Sequence, residues 1–306
     1  MPRPRVDVVV LTMNDRPDEE AAAQATLLAQ SGVDVRVAVV GNGCRPEVVP
    51  PGALTVCLPE NVGVPGGRNA GADALRTAGD PAEWLFFLDN DAVFPRPDVL
   101  ARLVAEAEQH PEAAWTQPRL TGPDDATTPR RWVPRLRVSA PGRPGRVTSM
   151  AEGVVLIRRD AFDQVGGWEG SLFLYHEGLD LAWRLYAAGW SGWYAASIRM
   201  HHPLTAPARH ALYHRLTAPA RHALYHRLAA RNRIWIAHRN LPALLAPLHL
   251  SVWTTITLFR AVRGGGLGDT LRGMREGWAT RRTQRRRPMS WRTVYRLTAA
   301  GRPPIV

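Results

Sequence analysis

Two aspartates one residue apart, in Asp89-Asn90-Asp91, follow directly on the apolar run Trp84-Leu85-Phe86-Phe87-Leu88. Paired hard oxygen ligands suit Mg2+ or Mn2+, which keep open positions for phosphate oxygens and neutralise a diphosphate leaving group. The same tripeptide is also ordinary turn chemistry, because short polar side chains bond their own backbone. Position decides between these readings. The run reads as a buried central strand, and the carboxyl end of such a strand in an open α/β sheet is where ligands bind. A second chemical feature is the glycine-rich segment Asn61-Val62-Gly63-Val64-Pro65-Gly66-Gly67-Arg68-Asn69-Ala70-Gly71. Its glycines let backbone approach a ligand, and Arg68 can pair with a phosphate.

The elements that must position these groups come before and after them. Val6-Asp7-Val8-Val9-Val10-Leu11 is a strand running into Thr12-Met13-Asn14-Asp15, and Val35-Arg36-Val37-Ala38-Val39-Val40 is a second strand ending in Gly41-Asn42-Gly43. The helical pattern of residues 19–30 lies between them, which makes a βαβ unit. The glycine-rich segment reads as a turn ahead of a short helix with Ala70, Ala74 and Leu75 on one face. No dinucleotide glycine spacing follows the first strand, which excludes a Rossmann dehydrogenase. Thr12-Met13-Asn14-Asp15-Arg16-Pro17 also lacks the glycine-rich basic loop that a sugar-nucleotide nucleotidyltransferase, the alternative enzyme class, needs there.

With these motifs in order (VVVLTMN, VVGNG, ENVGVPGGRNAG, FFLDNDA, then GVVLIRRDAFDQVGGWEGSLFLYHEGLDLAWRLYAAGW), residues 6 to about 203 resemble a family 2 glycosyltransferase of the GT-A fold, in particular its rhamnosyltransferase-like branch. The resemblance implies a GT-A catalytic domain over 1–203, a mixed, mostly parallel sheet flanked by helices, with a helical, Arg-rich C-terminal extension over 204–306. It implies metal-dependent inverting transfer of a hexosyl or deoxyhexosyl group from a nucleotide diphosphate to a hydroxyl of a glycan or lipid-linked acceptor.

The same resemblance suggests roles residue by residue. Family members place the base in a Glu-Asp pair ahead of an Asp-Leu-x-Trp-Arg helix, and this chain reads His176-Glu177-Gly178-Leu179-Asp180-Leu181-Ala182-Trp183-Arg184. Gly178 stands where the pair's second carboxylate belongs, which leaves Glu177 as the base and Asp180 as runner-up; a first-turn aspartate also stabilises a helix N-terminus without any catalytic role. Loss of that carboxylate also admits a noncatalytic scaffold of the same fold. Asp89 is assigned to the donor ribose or metal, Asp91 to the metal, and Thr12, Asn14, Asn42 and Arg68 to the nucleotide. His201 is expected to complete the metal shell, with His202 as its substitute. Family members often carry Asp where Gly41 stands, so base recognition shifts to Asn42 or to backbone groups.

Composition divides the chain. Residues 1–199 carry 20 Arg against 25 acidic residues, a net −5, whereas 200–306 carry 19 Arg against 2, a net +17, and there is no Lys. The two cysteines, Cys44 and Cys57, form no metal-type pair, which points to a reducing compartment, and a strand starting at Val6 leaves no room for a signal peptide. Leu241–Phe259 has no charged residue over 19 positions, about the length that spans a bilayer, yet carries two prolines, a histidine and several hydroxyls. Its Leu241, Leu244, Leu245, Leu248, Val252, Ile256 and Phe259 recur at helical spacing, as in a helix lying in a membrane surface or packed on the catalytic domain. With the adjacent arginines this favours an anionic membrane surface as partner over nucleic acid, and a peripheral place on the inner face of the cell membrane. Finally, the twelve residues 204–215 recur identically as 216–227, a recent duplication in which each Thr-Ala-Pro reads as a helix start.

Overall fold

The computed structural model describes residues 2–122, 128, 133, 141–202 and 211–305, the side chains of 211–222 excepted. Eight strands form one sheet, β1 (Arg5–Thr12), β2 (Asp34–Asn42), β3 (Leu54–Leu58), β4 (Trp84–Asp89), β5 (Ala113–Thr121), β6 (Gly145–Val147), β7 (Val154–Arg158) and β8 (Ser191–His201), in the order β3-β2-β1-β4-β7-β5-β8-β6. All run parallel to β1 except β7, antiparallel to both β4 and β5, and β6, antiparallel to β8. This is the mixed, mostly parallel sheet of the GT-A fold.

The continuous apolar run of β4 is explained by burial on both faces. Leu85 and Phe87 enter one core with Trp115, Ile157, Trp168 and Leu181; Trp84, Phe86 and Leu88 enter the other with Leu27, Leu100, Leu103 and Val104. The side chains alternate faces, but both faces are dry, so no polar alternation is left in the sequence. Helices α1 (Pro17–Leu28) and α3 (Val99–Glu108) supply the second core; α2 (Gly63–Thr77), α4 (Arg159–Gln164) and α5 (Glu177–Ala187) supply the first.

The glycine-rich segment is not a turn ahead of the helix: α2 begins at Gly63 and takes in all of it but Asn61 and Val62. Gly67 and Gly71 serve helix–sheet packing. A Cβ on Gly67 would fall 2.4 Å from Leu11 Cδ1 and one on Gly71 2.5 Å from Val9 Cγ1, so larger residues there would lift α2 off β1. Backbone freedom is needed only at Gly63, where φ is +80°.

Beyond the sheet lie α6 (Ala211–Asn240), α7 (Leu245–Gly264), α8 (Leu267–Thr280) and α9 (Trp291–Ala299). The expected boundary at 203/204 and the first duplicated copy up to residue 210 lie outside the described residues. In the second copy Thr217-Ala218-Pro219 starts no helix: α6 runs through it unbroken, since extending a helix is cheaper than nucleating a new one. Trp235, Ile236, Leu241, Leu245, Met289 and Leu297 join the first core. Helix α7 is packed on the body through Leu245 and His249, and the anticipated single apolar stripe divides: Leu241 and Leu245 turn inward, while Leu244, Leu248 and Phe259 are exposed. No helix among the described residues is long and apolar enough to cross a membrane.

The join between α5 and α6 is electrostatic. Asp180, fully buried, accepts from Arg184 Nε at 2.7 Å, Asn240 Nδ2 at 2.7 Å and Arg239 Nε at 3.3 Å. Its carboxylate is occupied by these partners, which dock α6 on α5. Burial alone would raise its pKa, but the two guanidiniums and the amide outweigh it and hold the carboxyl below its ordinary value. Asp180→Asn is expected to cost about 3 kcal/mol by stranding Arg239. Because the folded-state pKa is depressed, the stabilisation is complete above the unfolded value of about 3.9 and is lost as pH falls through the folded value. Thermal melts should therefore separate wild type and variant at pH 7 and bring them together in acid; a constant difference down to pH 2 would contradict the assignment.

Candidate active site

Topology gathers the chemistry at one edge. Strands β1, β2, β4, β5 and β8 all end there, and antiparallel β7 starts there, Val154 pairing with Leu88, so the turn just before β7 lies beside the end of β4. The Asp89 N–H donates to the Gly153 carbonyl at 2.6 Å, and a Cβ at 153 would lie 1.7 Å from Asp89 Oδ2, so only glycine leaves room for that carboxylate.

Asp89, Asp91 and His202 form one cluster with all three ligand atoms within 4.8 Å of one another. His202 Nε2 lies 3.5 Å from Asp89 Oδ2 and 3.3 Å from Asp91 Oδ1. Arg68 Nη2 donates to Asp89 at 2.9 Å, and Arg16, which no sequence motif marked, pairs with Asp91. Burial acts to raise the Asp89 carboxyl, but His202 and Arg68 bring it down to about 2. Two carboxylates and an imidazole are an O,O,N donor set fitted to Mn2+ or Mg2+.

The histidine of this cluster is His202, and His201 is not part of it. The His201 backbone exchanges both hydrogen bonds with Val93, at 2.9 and 3.0 Å, and its side chain lines a separate cavity with Arg96 and Arg102. Successive residues of an extended chain point to opposite faces, so the next residue is the one directed at the aspartates.

A second pair of carboxylates lies close by. Glu177 opens α5 behind His176, which holds the left-handed conformation at φ +71°. It is 4% exposed, and its Oε2 is buried with no hydrogen-bond partner. Burial first, then the charge of Glu152, push it up to about 8 against the pull of Arg68. Glu152, also missed by the motifs, accepts the Gly178 N–H at 2.9 Å through Oε1, and burial raises its carboxyl too. It lines a cavity of about 260 Å³ with Asp89, His202 and Arg302.

The residues expected at the nucleotide divide. Arg68 is buried over Trp168, its guanidinium carbon 5.4 Å from the ring, and its Nη1 has no hydrogen-bond partner. Thr12, Asn14 and Asn42 bond within the protein. Thr12 Oγ1 donates to Glu20 at 2.6 Å and accepts the Asn14 N–H at 3.0 Å; Asn14 donates to the Arg45 carbonyl at 2.8 Å; Asn42 donates to Asn61 at 2.8 Å and the Gly63 carbonyl at 3.2 Å, and accepts the Val62 N–H at 2.9 Å. They fix the loops after β1 and β2 and the start of α2. A Cβ on Gly41 would meet the Cys44 carbonyl at 2.2 Å and Pro46 at 2.7 Å, so the aspartate that the resemblance places there has no room.

Residues 84–265 match the family described as glycosyl transferase family group 2. The N-acetylglucosaminyl-diphospho-decaprenol L-rhamnosyltransferase of Mycobacterium tuberculosis is 29% identical over 166 residues, 43% of this chain and 52% of that protein. The chain thus spans about half the length of the curated relatives it matches. Among solved structures, a mannosyltransferase of Pyrobaculum calidifontis in complex with GDP-Man and Mn2+ aligns with TM-score 0.55 and 18% identity, over 98% of this chain and 86% of that one. GalNAc-T7, solved with UDP, GalNAc and Mn2+, aligns with TM-score 0.51 and 16% identity, over 66% of this chain and 44% of that one. The structural likenesses carry the fold alone, and the family match, over more than half of the chain, carries membership: this chain belongs to glycosyl transferase family group 2.

Proposed function

We propose that the protein is a metal-dependent inverting glycosyltransferase that moves a sugar from a nucleotide diphosphate to a hydroxyl of a glycan or lipid-linked acceptor. The observation that carries the reading is the Asp89, Asp91 and His202 cluster beside the buried Arg68, at the sheet edge where an α/β fold binds nucleotides. Mg2+ or Mn2+ held by those three residues would offset the charge of the departing diphosphate. Arg68, with a buried N–H group still unsatisfied, suits a phosphate oxygen. Thr12, Asn14 and Asn42 serve the nucleotide through the loops they hold. The acidic pair Glu152 and Glu177 provides a carboxylate for the acceptor proton, Glu152 from the same cavity as Asp89 and His202. A lipid-linked acceptor accords with the relative named for diphospho-decaprenol.

With the chain divided into a GT-A part (1–203) and a helical part (204–306), the second part is the one that meets the membrane in this reading. Leu244, just before α7, and Leu248, Phe259 and Val262 on it are exposed, and a cavity of about 720 Å³ between α6, α7 and α8 is lined by Ile234, Leu250, Trp278, Arg281 and Arg286. Exposed apolar side chains next to guanidiniums are the two signals that hold a protein peripherally on an anionic bilayer, here the cytoplasmic face of the cell membrane.

Two measurements test these readings. In calorimetry with Mn2+ and UDP or dTDP, Asp91→Ala should abolish metal-dependent binding and His202→Ala should weaken it by roughly 10–100-fold, whereas His201→Ala should leave it unchanged. Unchanged affinity in the Asp91 variant would remove the metal site from this account. In cosedimentation, charge reversal of the exposed Arg282 and Arg285 to Glu should weaken binding to phosphatidylserine vesicles by roughly tenfold or more, at about 1 kcal/mol per lost charge. Equal binding to neutral and anionic vesicles would refute the membrane assignment.

A further inference from the structure

Gly178 looks in sequence like a lost catalytic carboxylate, and the structure shows what occupies its place. A Cβ on residue 178 would lie 2.4 Å from both Cγ and Oε1 of Glu152 and 2.6 Å from its Cδ. Where the Glu152 side chain stands, it leaves no room for a side chain at 178. Glu152 arrives from the opposite wall, the turn before β7, and its carboxyl lies at the N-terminus of α5 with the Gly178 N–H bonded to Oε1 at 2.9 Å. That position favours an anion, since the first N–H groups of a helix have no partner within it. Glu152 is also the acid of the pair with access: it is half-buried and lines the cavity shared by Asp89 and His202, whereas Glu177 is 4% exposed and does not reach that wall.

We propose that Glu152 is the general base of the transfer and that Glu177, previously the candidate, is a positioning residue behind it. The proposal rests on the transferase reading above. The Glu152 carboxylate takes the proton of the acceptor hydroxyl as that oxygen bonds to the anomeric carbon; the bond from that carbon to the diphosphate oxygen breaks, and its electron pair leaves with the nucleoside diphosphate. The base has thus moved from helix to turn without leaving the site, and Gly178 is the condition for it.

The test measures nucleoside diphosphate release from UDP-, dTDP- and GDP-sugars with Mn2+, with water alone and with polyprenyl-diphosphate-linked N-acetylglucosamine as acceptor. Glu152→Gln keeps the bond to Gly178, so it should melt like wild type and hold donor KM within about threefold while kcat falls roughly 10²–10⁴-fold. Glu177→Gln should lose less than about tenfold in kcat. Combining Glu152→Ala with Gly178→Asp removes the clash and restores a carboxylate on the helix side, so it should recover activity over Glu152→Ala alone. Wild-type turnover by Glu152→Gln, the large loss falling on Glu177→Gln instead, or a double variant no better than Glu152→Ala would each overturn the assignment. Wild-type protein that releases no nucleoside diphosphate from any donor would overturn the transferase reading itself.

Discussion

Four carboxylates, Asp89, Asp91, Glu152 and Glu177, converge at one edge of the sheet, and the molecule must hold that charge in a partly dry crevice. Like charges so close do not all ionise without cations among them. The chain answers with Arg68 against Asp89, Arg16 against Asp91 and His202 between the two, while burial and the charge of Glu152 push the Glu177 carboxyl up. An arrangement so rich in acid is costly as scaffolding and suited to a divalent cation and the phosphates that accompany it. The buried strands exist to bring these groups together: the dry core on both faces of β4 fixes Asp89, and the antiparallel insertion of β7 brings Glu152 across from α5.

Glycine is the means by which the charges approach one another. Gly153 admits the Asp89 carboxylate and Gly178 admits that of Glu152, each at a place where a Cβ would fall within 2.4 Å of the acid. Gly41 leaves room for the loop of Cys44 and Pro46 in the same way. Two departures from the family's pattern, at 41 and 178, thus look like losses in sequence and are filled positions in the structure. At 41 the chain's own next turn, Cys44 and Pro46, takes the space; at 178 it is Glu152, 26 positions away, a compensation visible only when the chain is folded.

The sheet was legible because β1, β2 and β4 are long apolar runs bounded by turn residues, and Asp89, Asp91 and Arg68 followed from their place at strand and helix ends. The glycine-rich segment reads in sequence as a turn and is helical from Gly63 on, because glycines spaced for packing against Leu11 and Val9 resemble turn glycines. His201 and His202 differ by one position, and a resemblance gives a motif's location less finely than strand alternation requires; the bonds of His201 with Val93 settle which one turns inward. Glu152 and Arg16 carried no local signal, since their partners lie 26 and 75 positions away. Asp180 matched the family motif in sequence, while its three partners on α5 and α6 show a structural ion pair.

The central claim is that Asp89, Asp91 and His202 hold a divalent cation that receives the donor's diphosphate. Anomalous diffraction at the manganese edge, from crystals grown with Mn2+ and a nucleoside diphosphate, addresses it most directly. The account predicts one strong peak among Asp89 Oδ2, Asp91 Oδ1 and His202 Nε2, with phosphate oxygens completing the shell and Arg16 displaced from Asp91. A bound nucleotide with no peak there, or a peak held by His201 or by other acids, would contradict it.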